Sequence, residues 1–166
     1  MKLESLHELY LKELRDLYHM EQQIVKALPK IIESTNSQQL RSALSHHLEE
    51  TRGQVTRLEE VFQLHNEKPK AETCDGMKGI LEEGEDILDH DENVEVRDAG
   101  IIAGAQKVEH YEIAGYGSVR TWAQQMGHTR AAQLLGQTLE QEKKADAKLT
   151  ELARTLNMEA VGRAGS

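Results

Sequence analysis

Apolar residues recur along this chain at steps of three and four, the spacing of one helical face, over four long stretches. The first stripe runs Leu6, Leu9/Tyr10, Leu14, Leu17, Glu21, Ile24, Leu28 and Ile31, behind a capping box at Ser5 to Glu8. Pro29 is expected to kink this helix near its end, and Ser34, Thr35, Asn36 and Ser37 to break it and cap the next. The second helix is predicted from about Gln38 to His65. Leu40, Leu44, Leu48, Val55, Leu58 and Phe62 form its apolar face, with His47, Glu50 and Gln54 on a neighbouring track. Gly53 weakens this helix and is expected to permit close packing.

The third long helix is predicted over about Val94 to Met126, capped by Asn93 and ended by Gly127. Its stripe is Ile102, Ala105, Glu109, Glu112, Tyr116, Val119, Ala123 and Met126. Gly100, Ala103, Gly104, Ala114, Gly115 and Gly117 give it many small residues, so it is expected to depend on close tertiary contacts. Thr129 is the expected cap of the fourth helix, whose stripe reads Ala131, Leu135, Leu139, Glu142, Ala145/Asp146, Leu149, Leu152 and Leu156. Between the second and third helices lie a loop, Asn66 to Asp75, a weaker acidic helical segment, Gly76 to Leu88, and a polar break, Asp89 to Asn93. That connection is too long for a tight turn. The expected fold is therefore all-α, a four-helix up-down bundle with a long crossover between helices two and three that carries a short extra helix. Residues 1–158 are expected to form one domain, and residues 159–166 a flexible C-terminal tail.

Five acids interrupt these stripes. Glu21, Glu50, Glu109, Glu112 and Glu142 each fall on or beside the core-facing track of a predicted helix, near its middle. Four helices of similar length, packed side by side, bring such carboxylates to one depth. Buried carboxylates repel one another and lose hydration, so they need a compensating charge. A pair of metal ions supplies it. Glu109 and Glu112 leave one face of their helix as an i, i+3 pair; His47 and Glu50 do the same, and Glu142 and Asp146 are an i, i+4 pair. Oxygen ligands with an imidazole suit two iron ions, with manganese or zinc as alternatives. Each acid taken singly has a plainer reading, snorkelling to solvent or pairing with a base. The coincidence of four interrupted stripes is the specific signal. Tyr18 and Tyr116 lie one turn from Glu21 and Glu112, where a hydroxyl can bond a carboxylate. His46 and His110 point away and are expected on the flanks, and Trp122 is expected in packing.

Composition narrows the partners. Of 166 residues 38% are hydrophobic and 30% charged, with a formal net charge of −9, so neither nucleic acid nor an anionic membrane is an expected partner. No apolar run is long enough to span a bilayer, and the opening MKLESLHELYLKEL carries acids where a signal peptide would be apolar, so the cytoplasm is the expected compartment. The single cysteine, Cys74, cannot form an internal disulfide or a cysteine-rich metal centre, and reads as a bystander thiol.

The stretches HLEETRGQVTRLE at 47–59, EVRDAGIIAGAQKVEHYEIAGYG at 95–117 and LEQEKKADAKLTELA at 139–153 resemble the YciE/YciF-type ferritin-like family of bacterial stress proteins, over nearly the whole chain. The resemblance implies a ferritin-like fold akin to rubrerythrins and bacterioferritins, a di-iron carboxylate centre, a stress-related role and a homodimer. It matches Glu21 to the single acid of the first helix, Glu50 to that of the second, Glu109 and Glu112 to the Glu-x-x-Glu of the third and Glu142 to the acid of the fourth. Ferritin-like sites usually place histidine three residues after the acid. Here Gly53 and Ala145 stand at those positions, leaving His47 and Asp146 as substitute ligands. A metal-free helical bundle whose carboxylates stay partly protonated or hydrated is the plainest reading, and two functions stay open beside it. One is a di-iron protein that reduces dioxygen or peroxide, with Glu109 and Glu112 as the flexible ligand pair and an external electron donor. The other is a non-enzymatic stress protein whose metal is structural or vestigial, acting through a dimer or partner surface.

Overall fold

The structure, a computed structural model, describes residues 3–90 and 92–163. Met1 and Lys2 of the expected domain, Asp91 of the polar break and residues 164–166 of the expected tail lie outside them. Five helices follow in order: α1, Leu6–Ser34; α2, Gln38–Leu64; α3, Asp75–Leu88; α4, Val94–Gln125; and α5, Thr129–Arg163. No strand occurs among the described residues.

The ends form where the sequence places its polar caps. Ser5 Oγ accepts from Glu8 N at 3.2 Å, and Glu8 Oε2 accepts from Glu4 N at 2.7 Å. Asn93 Oδ1 accepts from Glu95 N and Val96 N at 3.1 and 3.0 Å. Gly127, at φ +78°, takes the left-handed conformation that closes α4. The next helix begins one residue earlier than its expected cap allows. Thr129 lies inside α5, and His128 O accepts the first-turn bond from Ala132 N at 2.9 Å. α1 continues past Pro29 to Ser34; Pro29 sits on the exposed face, where a carbonyl deprived of its N–H partner meets water. α5 also outruns its expected end. Met158, Glu159, Ala160 and Val161 hold no breaker, and extending an established helix adds one bond per residue fixed, so the helix reaches Arg163.

α1 packs against α2 and α4, and α5 packs against α2 and α4, so the four long helices form a closed ring of neighbours. α3 lies against α1 and α4, outside that ring. Tyr10, Leu14, Leu17, Leu40, Leu58, Phe62, Ile102, Tyr116 and Leu135 are among the fully buried side chains. At roughly 25 cal/mol per Å² of apolar surface, this burial is the main force holding the helices together. Small residues of α4 admit close neighbours. A Cβ on Gly115 would stand 2.7 Å from Leu17 Cδ2, and one on Gly100 2.6 Å from Ile87 Cγ2. Gly53 and Gly117 differ from expectation, since neither has any atom within 4 Å of its Cβ position. The crossover is pinned by ion pairs from Arg15 to Glu67 and Glu72, at 3.4 and 3.3 Å. Cys74 lies at the end of the expected loop, as the residue before α3, and is buried. Its N–H donates to His19 Nδ1 at 3.0 Å and its Sγ lies 3.5 Å from the Tyr111 hydroxyl.

Candidate metal centre

The apolar stripes carry their acids inward because helical geometry gives them no alternative. Glu21 lies between buried Leu17 and Ile24 on α1, and Glu109 and Glu112 between Ile102 and Tyr116 on α4. Glu142 follows Leu139 on α5, and His47, Thr51 and Gln54 share the inner face of α2. Glu21, Glu112 and Glu142 have 0% exposure, Glu109 2% and His47 6%. One ligand atom each from His47, Glu109, Glu112 and Glu142 lies within 4.8 Å of every other, a spacing that can surround a metal ion. Three helices contribute to this group. α1 adds Glu21 beside it, held by the Tyr116 hydroxyl, which donates to Glu21 Oε1.

The group is short of donors. Gln54 Nε2 donates to Glu142 Oε1, and His47 Nε2 lies 3.4 Å from Glu109 Oε1 without hydrogen-bond geometry. Glu21 Oε2, Glu109 Oε2, both Glu112 oxygens, Glu142 Oε2 and both His47 nitrogens are buried with no partner in the chain. Leaving so many buried polar atoms unpaired is costly, at roughly 1–3 kcal/mol each. Burial first, and then the mutual repulsion of the acids, pushes Glu21 and Glu112 well above the usual carboxylate range. Burial likewise raises Glu109 and Glu142. Burial, helped by His46, lowers His47 to about 4, so its imidazole is neutral at pH 7 and free to ligate.

Three of the seven sequence-predicted ligands lie outside the four-residue group; Glu21 stands beside it and the other two stand apart. Glu50 is at the rim, 23% exposed, within 3.5 Å of His46 Nε2, and accepts from Gln141 Nε2 at 3.4 Å; its charge still raises Glu142. Asp146 faces the α4 flank instead, accepting from Gln106 Nε2 at 3.1 Å, with His110 Nε2 at 3.2 Å. Of the two tyrosines, Tyr116 meets a cluster acid, but Tyr18 turns away and donates to Glu59 Oε1 at 2.9 Å. Sequence reasoning gave Gln54 no role, although its place four residues after Glu50 and seven after His47 puts it on their face. Arg57, whose charge reaches Glu21, was also missed; it donates to Thr138 Oγ1 and Gln141 Oε1 at 2.7 and 2.9 Å.

The donor set fits a divalent transition metal. Carboxylate oxygens and one neutral imidazole are the ligands iron and manganese take, and a cation would both pair the orphaned oxygens and remove their repulsion.

Fold and site together define an all-helical protein that buries a carboxylate and histidine cluster between its long helices. The chain belongs to the family described as Domain of unknown function (DUF892), which matches residues 5–161. Protein YciF of Escherichia coli (strain K12) is 44% identical over 154 residues, spanning 92% of this chain and 93% of that protein. The crystal structure of YciF, described as an E. coli stress protein, superposes with a TM-score of 0.89 over 92% of this chain and 97% of that one. YcfI from Rhodopseudomonas palustris, described as a candidate structural protein, is 41% identical with a TM-score of 0.88, over 90% and 95% of the two chains. A Xanthomonas campestris protein shares the fold at 20% identity and a TM-score of 0.77. No helix among the described residues is long and apolar enough to cross a membrane.

Proposed function

We propose that this chain is a di-metal carboxylate protein of the stress response, built on a ferritin-like up-down four-helix bundle, with iron as its metal. The observation that carries the reading is the convergence of His47, Glu109, Glu112 and Glu142 within 4.8 Å, all buried and short of donors. Di-iron bundles hold two ions with six side chains, a Glu from each of two helices and a Glu and His from each of the others. Glu21, Glu50, Glu109, Glu112, Glu142 and His47 also number six, with a fifth glutamate replacing one histidine. Asp146 is left as a support for the flank of α4.

Bound ferrous ions would supply one electron each, enough with two protons to turn dioxygen into hydrogen peroxide or peroxide into two waters. The chain's own part is to position and to manage protons. Tyr116 and Gln54 each fix one oxygen, of Glu21 and Glu142, and so set which oxygen faces the centre. Glu21, Glu109, Glu112 and Glu142 all have raised values in the metal-free state, so loading would displace protons from this cluster. Glu50, at the rim, would have to leave Gln141 and His46 to join the centre. With a single cysteine the chain has no cysteine-rich electron-transfer centre of its own, so electrons come from an external donor.

The R. palustris relative is described as a candidate structural protein, which favours a second reading, a non-enzymatic stress protein whose metal, where bound, supports the fold without turnover. Metal analysis of protein from iron-supplemented cells, followed by anaerobic ferrous loading and stopped-flow mixing with dioxygen or peroxide, separates the two. About two ions per chain and oxidation faster than the buffer blank support the di-iron reading. Bound metal without oxidation supports the structural one, and absence of bound metal sinks the metal role in both.

A further inference from the structure

α3 roofs an apolar cavity that ends at the metal centre. Its walls come from α1, α2, α3 and α4, with Leu28, Ile80, Leu81, Ala105 and Val108 among them, and the only polar side chains on it are His47 and Glu109. The space exists because α3 and α4 meet through glycines. Gly84, Gly100 and Gly104 line it, and a Cβ on Gly104 would stand 3.9 Å from Gly84 Cα. Both polar residues at its inner end belong to the converging group, and both His47 nitrogens lack a partner.

We propose that this cavity is a binding site for dioxygen, delivering it to the His47 and Glu109 side of the centre. Size sets the class of guest. The cavity measures ≈ 50 Å³, some three to five times what one water needs and about a third of a cavity that takes benzene. A diatomic gas fits and an aromatic ring or acyl chain does not. Lining sets the polarity. A water held away from the inner end would find none of the two to four polar partners it needs, and hydrogen peroxide, with two O–H donors, is disfavoured for the same reason. Dioxygen loses nothing there. The other approach differs in kind. Between α2 and α5 a second cavity reaches His47 and Glu109 past His46, Glu50, Lys144 and Lys148. That cavity also has Ala43, Leu44, Ala145 and Leu149 in its lining, so it is mixed, whereas the side under α3 is apolar up to its inner end.

The role in catalysis rests on the di-metal reading, but the cavity can be tested without metal. Xenon is the probe, in pressurised crystals of the metal-free full-length chain. The expected result is a xenon site bounded by Leu28, Ile80 and Val108, lost in Ala105→Leu and in Ala27→Leu, which fill the space from α4 and α1. Circular dichroism identifies any variant that fails to fold, and the other then decides. No xenon in the parent protein, or xenon retained in a folded filled variant, overturns the proposal. In iron-loaded protein, the same variants should slow ferrous oxidation by dioxygen and leave oxidation by peroxide unchanged; equal slowing of both would also overturn it. A protein that oxidises no iron with either oxidant fails the metal reading, and the xenon result still decides the cavity.

Discussion

Tyr116 on α4 donates its hydroxyl proton to Glu21 Oε1 on α1, and both side chains are fully buried. The bond ties the carboxylate cluster to the packing of two helices, and burial next to that carboxylate raises the tyrosine well above its ordinary range, so the phenol stays a donor. Tyr116→Phe removes the donor and leaves the acceptor in place. The expected cost is about 1–3 kcal/mol in denaturant unfolding of the metal-free protein, because Glu21 is then left with both oxygens unpaired. An unfolding curve that superposes on the parent would refute this.

Glu112→Gln is expected to act with opposite signs on the two forms. In the metal-free protein it removes an ionisable group that burial and three neighbouring acids oppose, so the melting temperature should rise. In the loaded protein it removes a ligand. A ligand at 100 times its Kd adds about 2.7 kcal/mol to a folded state that alone binds it, and that increment should shrink in the variant. Paired melts with iron and with chelator check both halves, and a fall in the metal-free melt would count against the electrostatic account.

The metal-free protein should lose stability as pH rises. Glu21, Glu109, Glu112 and Glu142 all have raised folded-state values, so their burial is tolerated below the ordinary carboxylate range near 4.3 and opposes folding as pH climbs through the raised values. His47 works the other way. It is lowered to about 4, so its contribution is present above about 6.5 and is lost as pH falls towards 4. Above about pH 6.5 only the carboxylate trend remains, and chelated protein should melt lower at pH 9 than at pH 6.5. Metal loading should flatten or reverse that slope, since binding releases the same protons. Parallel pH profiles with and without metal would sink this.

The helices and the buried acids could be read from the chain because both are periodic. A stripe at steps of three and four fixes which face turns inward, so Glu21, Glu109, Glu112 and Glu142 were legible as interior before any coordinates. Periodicity says nothing of which neighbour a side chain meets. Asp146 shares a helix with Glu142 but turns to Gln106 and His110, and Tyr18 turns to Glu59. The cavity was illegible for the same reason, since it arises where Gly84 and Gly104 of two different helices meet.

Gly53 shows how far a glycine's meaning depends on its neighbours. It lies mid-helix in α2, is exposed, and has nothing within 4 Å of its Cβ position. A methyl group there meets no obstacle and restricts the unfolded chain. Gly53→Ala should stabilise the protein by roughly 0.5–1 kcal/mol with no change in metal content. A destabilised variant would mean that this face packs against something.

Asp98 is a buried charge whose partners lie far away in sequence. It sits on α4 with 1% exposure, and its Oδ1 and Oδ2 accept from the backbone of Asn36 at 2.9 Å and Ser37 at 2.6 Å. Those N–H groups belong to the turn that opens α2, where the helix dipole favours negative charge. One carboxylate thereby closes the α1–α2 turn and fixes α4 against it. Asp98→Asn keeps one acceptor oxygen and places an NH₂ group against the other backbone donor, while Asp98→Ala leaves both N–H groups unpaired. Charge-assisted bonds contribute about 1.5–3 kcal/mol, so Asp98→Ala should cost at least that much, with Asp98→Asn retaining part of the loss. Hydrogen exchange locates the effect. Faster exchange confined to the first turn of α2 is the expected result, and an unchanged Asn36 and Ser37 in Asp98→Ala would show that water or another side chain takes over the cap.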